Sequence, residues 1–311
     1  MNYFNIVSGQ VSVFVIYSII GIIAVKSGVL DRTGLAYLSK LVAKISLACL
    51  LFVNTMKASS ENDISGYLSV IFVTVLYFII LYLLGLFISS LCHLEGEKRN
   101  LFRDGTMFSN TGFMGVPIAE AVFGSVGVLM AALFTIVGDI ILWTWGVNLT
   151  VPPERLERRS FRSVAKKIFS PCLVAIFLGF LLGLMKIELP EKLYLAINGI
   201  GSTASPLAML YIGGIMCYVD LKKGLVKKEF LLLIVLKMCI LPILLARGLS
   251  LIPVIPHEVC VYIGLMAALP MMVTVSLVAE SNGSDSTYTA ALAIVTTAIC
   301  IITLPLVCLF M

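Results

Sequence analysis

The chain has 311 residues, 60% of them hydrophobic and only 13% charged, with a mean hydropathy of +1.07. Soluble domains run roughly 45–50% apolar and about 25% charged, which excludes a water-soluble enzyme and points to an all-α integral membrane protein. The formal charge of +5 falls on connecting segments, where a positive-inside bias explains it better than nucleic acid does.

A crossing takes about 20 residues, and ten apolar stretches can be drawn: 6–25, 35–56, 66–91, 102–124, 127–149, 169–187, 192–219, 228–250, 257–280 and 286–310. No cationic leader with a small-residue cleavage site precedes the first, so it is expected to be a retained span. The longest connection, Val151–Ser170, holds Pro152, Pro153 and a run of Arg and Lys. It divides the spans five and five. The expected organisation is a first five-helix repeat over 1–149, a basic cytoplasmic linker over 150–168 and a second repeat over 169–311.

Fifteen of the 22 Lys and Arg fall on the linker's side and four on the other, placing the linker in the cytoplasm and both termini outside. The halves are faintly alike. Gly21 and Gly183, Tyr37 and Tyr194, Gly85 and Gly248, and Pro117 and Pro270 recur in the same order. Five spans per repeat force the second copy to enter from the opposite face, so the expectation is two inverted repeats, an arrangement that belongs to secondary carriers.

Within span four, the stretch Arg103–Glu120 carries three glycines, a proline, Asn110, the hydroxyls of Thr106, Ser109 and Thr111, and the carboxylates of Asp104 and Glu120. No lipid-facing helix tolerates that composition. Pro117 removes a donor and crowds the carbonyl four residues back, and broken backbone at membrane depth survives only under protein or beside water. Span nine is interrupted in the same way at Pro270-Met271. Two broken helices crossing near the midplane would aim half-helix N-termini inward, favouring an anion. The candidate substrate-binding residues are Ser109, Asn110, Thr111, Gly115, Pro117, Thr203, Ser205, Lys237, Pro270 and Met271. Asn110 either reads a ligand with its amide or satisfies the broken backbone. Thr203 and Ser205 either face a cavity or pack closely.

Two charges sit deep in apolar runs: Lys237 in span eight and Asp139 in span five. Intramembrane charges are functional candidates and usually pair. Three readings stay open, namely a Lys237–Asp139 pair, a protonated Asp139, and a lysine facing substrate. Lys40 and Lys44 read as snorkelling side chains. The eight cysteines lie mostly in apolar runs without a Cys-x-x-Cys pair, so they read as fillers, with no metal site or cofactor expected. No G-x-x-x-x-G-K-[ST], H-E-x-x-H or G-x-S-x-G motif occurs, which argues against ATP drive and hydrolytic catalysis. A channel of the same fold is the nearest rival to a carrier. A membrane sensor or intramembrane enzyme is the rival from another class.

Four stretches carry a family resemblance: Ser109–Ile118, Ala204–Gly213, Ala268–Pro270 followed by Ala279-Glu280, and Thr303–Leu306. They resemble the auxin efflux carrier family, permeases related to the plant PIN exporters. The resemblance implies ten transmembrane helices in two inverted five-helix repeats, with helices 4 and 9 broken and crossing. It implies a scaffold from helices 1, 2, 6 and 7, and a transport domain from helices 3–5 and 8–10. It further implies elevator-like alternating access, a homodimer and small organic anions as substrates. A plasma-membrane location and proton or sodium as the candidate coupling ion are expected beside it. Met271-Met272 departs from the family by offering no polar side chain after the proline.

Overall fold

The computed structural model describes residues 3–61, 68–152, 170–218 and 227–311. Every named element among them is helical. In chain order these are α1 (Tyr3–Lys26), α2 (Arg32–Leu41), α3 (Leu47–Glu61), α4 (Ser69–Leu91), α5 (Gly96–Met107), α6 (Val116–Phe123), α7 (Ser125–Ile141) and α8 (Val147–Leu149). They continue as α9 (Pro171–Leu184), α10 (Glu191–Ser202), α11 (Ala204–Met216), α12 (Lys228–Leu233), α13 (Leu241–Leu249), α14 (His257–Ala268), α15 (Val273–Ser281) and α16 (Ser286–Cys308). Wider π-helical turns join several of them: Val42–Ser46, Thr111–Gly115, Leu142–Gly146 and Ile234–Ile240. Among the described residues, seven helical stretches are long and apolar enough to cross a membrane. Thr111–Phe123, Pro171–Leu184 and His257–Ala268 are shorter apolar helices.

Local chemistry sets several boundaries. The Asp31 carboxylate accepts from the Gly34 N–H at 2.6 Å and starts α2. Ser170 accepts from the Leu173 N–H ahead of Pro171, and Asp285 accepts from the Tyr288 N–H to open α16. Each side-chain oxygen fills one of the donors a helix start leaves open.

Packing divides the chain into two compact units. The first comprises Met1–Leu68, Gly112–Thr135 and Phe169–Tyr218; the second comprises Ser69–Thr111, Ile136–Ile168 and Val219–Met311. Gly112–Thr135, expected with the transport helices, groups with spans 1, 2, 6 and 7, because α6 packs on α1 and Phe123 meets Tyr3. The basic linker lies, beyond its first residues, outside the described residues.

In the first unit α1 pairs with α11, and α3 pairs with α9. Backbones approach so closely that a Cβ on Gly21 would strike the Leu210 carbonyl, and one on Gly213 the Ser18 carbonyl. Small residues make such contact favourable where lipid removes the hydrophobic drive. The hydroxyls of Ser46 and Thr203 lie 3.0 Å apart, and the Asn54 amide donates to Glu120 at 3.1 Å. In the second unit α4 pairs with α5, and α13 with α14. Arg103 reaches back to the Ser89 hydroxyl at 3.1 Å. Lys98 pairs with Glu229 at 3.4 Å, and its ammonium also lies over the Tyr288 ring.

Candidate functional site

Helix α5 stops at Met107 and α14 at Ala268, and both chains then run extended before helix resumes. At Leu269 the cause is local: a residue preceding proline is pushed out of the helical region, and its ψ is 150°. Within the second unit the two extended pieces lie antiparallel. The Asn110 N–H donates to the Pro270 carbonyl at 2.8 Å, and the Met272 N–H donates to the Phe108 carbonyl at 2.8 Å. Ser109 and Met271 thereby form an isolated antiparallel bridge. Each break supplies the partners that the other has lost, as a membrane interior requires.

Side chains settle most of the remaining groups. The Thr296 hydroxyl accepts from the Met271 N–H at 3.1 Å. The Lys237 ammonium, buried at 1% exposure, donates to the Leu269 carbonyl at 3.0 Å. The Tyr77 hydroxyl sits 2.8 Å from the Ser109 hydroxyl and donates to the Met266 carbonyl at 3.3 Å. A cation at the carbonyl end of α14 also matches the negative end of its dipole. One donor is left over. The Asn110 amide nitrogen is buried and has no partner among the described residues.

Three expectations change here. Pro117 does not mark the break in span four, which falls at Phe108–Asn110. Pro117 sits in the first turn of α6, just after the wide turn Thr111–Gly115. Pro242 follows the wide turn Ile234–Ile240 in the same way. A widened turn relieves the clash that a proline ring makes with the preceding carbonyls. The Lys237–Asp139 pair does not form: among the described residues the ion pair is Lys98–Glu229, and Lys237 is spent on Leu269. Asp139 is half-buried on α7. Met271 is fully buried, and its sulfur fills the space over Gly105, where a Cβ would come within 2.8 Å. It packs the crossing.

Ser109, Asn110, Pro270 and Met271 are thus brought together, with Lys237 one bond behind them. Thr111 follows directly, its N–H donating to the Ser109 carbonyl. Gly115, Pro117, Thr203 and Ser205 belong to the first unit. There the Thr203 hydroxyl donates to the Ile200 carbonyl at 2.6 Å, and the Ser205 hydroxyl is buried without a partner among the described residues. Sequence reasoning passed over Tyr77 and Thr296. The signal was one hydroxyl among several in an apolar helix, too common to single out either one. It also named Asp104 without giving it a role.

A family model described as a membrane transport protein matches residues 6–308, nearly the whole chain. The chain belongs to that family. It is similar to an uncharacterized transporter of Methanocaldococcus jannaschii, with 26% identity over 215 residues covering 65% of this chain and 67% of the relative. It is also similar to an uncharacterized transporter of Methanothermobacter thermautotrophicus, with 24% identity over 297 residues and 93% of each chain covered. The resemblance to auxin efflux carriers therefore stands at family level. This is a multi-pass membrane transport protein, in a family of transporters.

Proposed function

We propose that this transporter is a secondary carrier of small organic anions, chiefly carboxylates, and that the paired breaks at Ser109-Asn110 and Pro270-Met271 form the heart of its binding site. The observation that carries this reading is the unspent donor on Asn110. The crossing satisfies its own backbone, so the amide is not consumed in repairing the break. A buried N–H without an acceptor costs about 1–3 kcal/mol, and a carboxylate oxygen arriving there recovers that. Helix α15 begins immediately after Met272, and its first-turn N–H groups add positive potential at the same place.

The contact of α1 with α11 (spans 1 and 7) is matched by that of α9 with α3 (spans 6 and 2), and the contact of α4 with α5 (spans 3 and 4) by that of α13 with α14 (spans 8 and 9). Equivalent spans thus make equivalent contacts, which supports ten helices in two inverted repeats. The grouping of spans 1, 2, 6 and 7 supports a scaffold and a separate transport domain, with elevator-like alternating access. The proposal includes a homodimer in the plasma membrane with both termini outside.

The test is uptake of a carboxylate panel by proteoliposomes holding the purified full chain. Saturable uptake with counterflow is expected, and uptake that grows linearly with concentration would indicate a channel. Asn110→Ala should abolish uptake while its chromatographic profile and thermal midpoint match the wild type. Wild-type uptake in that variant would overturn the site.

A further inference from the structure

Asp104 stands in the last turn of α5, four residues before the break, and its backbone carbonyl accepts the Phe108 N–H at 3.1 Å. Its side chain is wholly buried, and neither carboxylate oxygen has a hydrogen-bond partner among the described residues. It is closed in at one side by Gly146, where a Cβ would stand 3.0 Å from Oδ1, and the Phe108 ring covers the same glycine.

An ionised carboxylate without partners is among the most costly groups a protein can hold away from water. Its position makes this worse, because the C-terminal turn of a helix carries the negative end of the dipole. No neighbouring element offers compensation. On α4 the titratable groups are Tyr77, bonded to Ser109, and Tyr82, against Trp145. On α16, Tyr288 bonds Glu229, Cys300 faces the Ala268 carbonyl, and Cys308 is buried. Leu142–Leu149 carries no titratable group, and α15 carries Glu280. On α5 itself Arg103 reaches Ser89, Lys98 pairs with Glu229, Glu97 accepts from the Asp285 N–H, and Arg99 lies a turn earlier. A bound metal cation would need several oxygen ligands. No metal-binding cluster occurs among the described residues, and neither oxygen of Asp104 shares a bond with another oxygen.

We propose that Asp104 is a proton-binding site of the second unit, neutral in the packed state seen here and ionised when that packing opens to water. The step is simple: the carboxylate takes one proton from water on one side of the cycle and returns it to water on the other. Because Asp104 anchors the turn that leads into Phe108–Asn110, gain or loss of that proton bears directly on the crossing. The coupling role rests on the carrier reading above; the proton site itself does not.

Infrared spectra of the full chain in liposomes at neutral pH test the site without any substrate. The carbonyl stretch of a protonated carboxylic acid is expected in the wild type and should be lost in Asp104→Asn. An unchanged band in that variant would overturn the proposal. So would a rise in thermal midpoint with sodium over potassium that Asp104→Asn abolishes, since the site would then hold a metal cation. With malonate as a probe carboxylate, an imposed pH gradient should drive accumulation in the wild type, and Asp104→Asn should lose that dependence. Malonate uptake indifferent to the gradient removes the coupling role and leaves the carrier reading standing. Failure of every carboxylate to enter removes the carrier reading, while the infrared result still decides the site.

Discussion

Thr296→Val and Thr297→Val form a matched pair that tests how the crossing is held. Both threonines are buried on α16, and valine replaces each without changing its shape. The Thr296 hydroxyl accepts the Met271 N–H at 3.1 Å, at the point where the chain between α14 and α15 has no helical partner to offer. Valine leaves that N–H buried and unpaired, at about 1–3 kcal/mol. The Thr297 hydroxyl bonds back only to the Ala293 carbonyl of its own helix at 2.7 Å. That carbonyl keeps its helical partner in the valine variant, so the change should be near neutral. At about 2 °C per kcal/mol for a chain above 150–250 residues, Thr296→Val should lower the thermal midpoint by about 2–6 °C and Thr297→Val by almost nothing. The assay is thiol-reactive dye unfolding of purified protein, with uptake measured alongside. Equal loss in the two variants, or no loss in Thr296→Val, would refute the reasoning.

Three further outcomes are expected. Lys237→Met strips the cap from the Leu269 carbonyl and should destabilise by about 1–3 kcal/mol; adding Asp139→Asn should not restore the midpoint, and recovery in the double variant would show that the two residues pair after all. Gly213→Ala drives a methyl into the Ser18 carbonyl and should cost about 1–3 kcal/mol, whereas Gly9→Ala, with nothing within 4 Å, should be neutral or slightly stabilising; the same thermal assay ranks them. For topology, a cysteine at Ser160 should escape external labelling and one at Ser60, exposed at the end of α3, should react; Ser59 is a poor probe position because it is buried, and the reverse labelling pattern would invert the orientation.

Long apolar runs made the helices legible, because a span must satisfy its backbone internally and so leaves a length signature. Among the described residues helix lies within each drawn span, and seven helical stretches are long and apolar enough to cross by themselves. The interruptions were legible only as a region. Pro270 coincides with its break, since Leu269 cannot stay helical before it. Pro117 lies seven residues past its break, because a wide turn at Thr111–Gly115 accommodates the ring and the helix continues. Which of two prolines ends a helix depends on whether the chain upstream has room to widen, and a single sequence does not record that.

The charges follow the same logic. Lys237 and Asp139 looked like partners because each lacked one nearby in sequence. Yet a buried lysine nitrogen can also donate to an uncharged acceptor, and a broken helix offers free carbonyls at membrane depth. Lys237 is directed to Leu269, and Asp139 is left to its own half-buried place. Asp104 presents the opposite case. It is an acceptor, and a helix C-terminus exposes acceptors, so its own turn has no spare donor to give it. The donor left at the crossing, on Asn110, is a neutral amide beyond the end of α5. A lone buried donor calls for an incoming anion, and a lone buried carboxylate calls for an incoming proton. A carrier that takes up both together moves its substrate with less net charge, which is the arrangement that the Asp104→Asn and Asn110→Ala measurements separate.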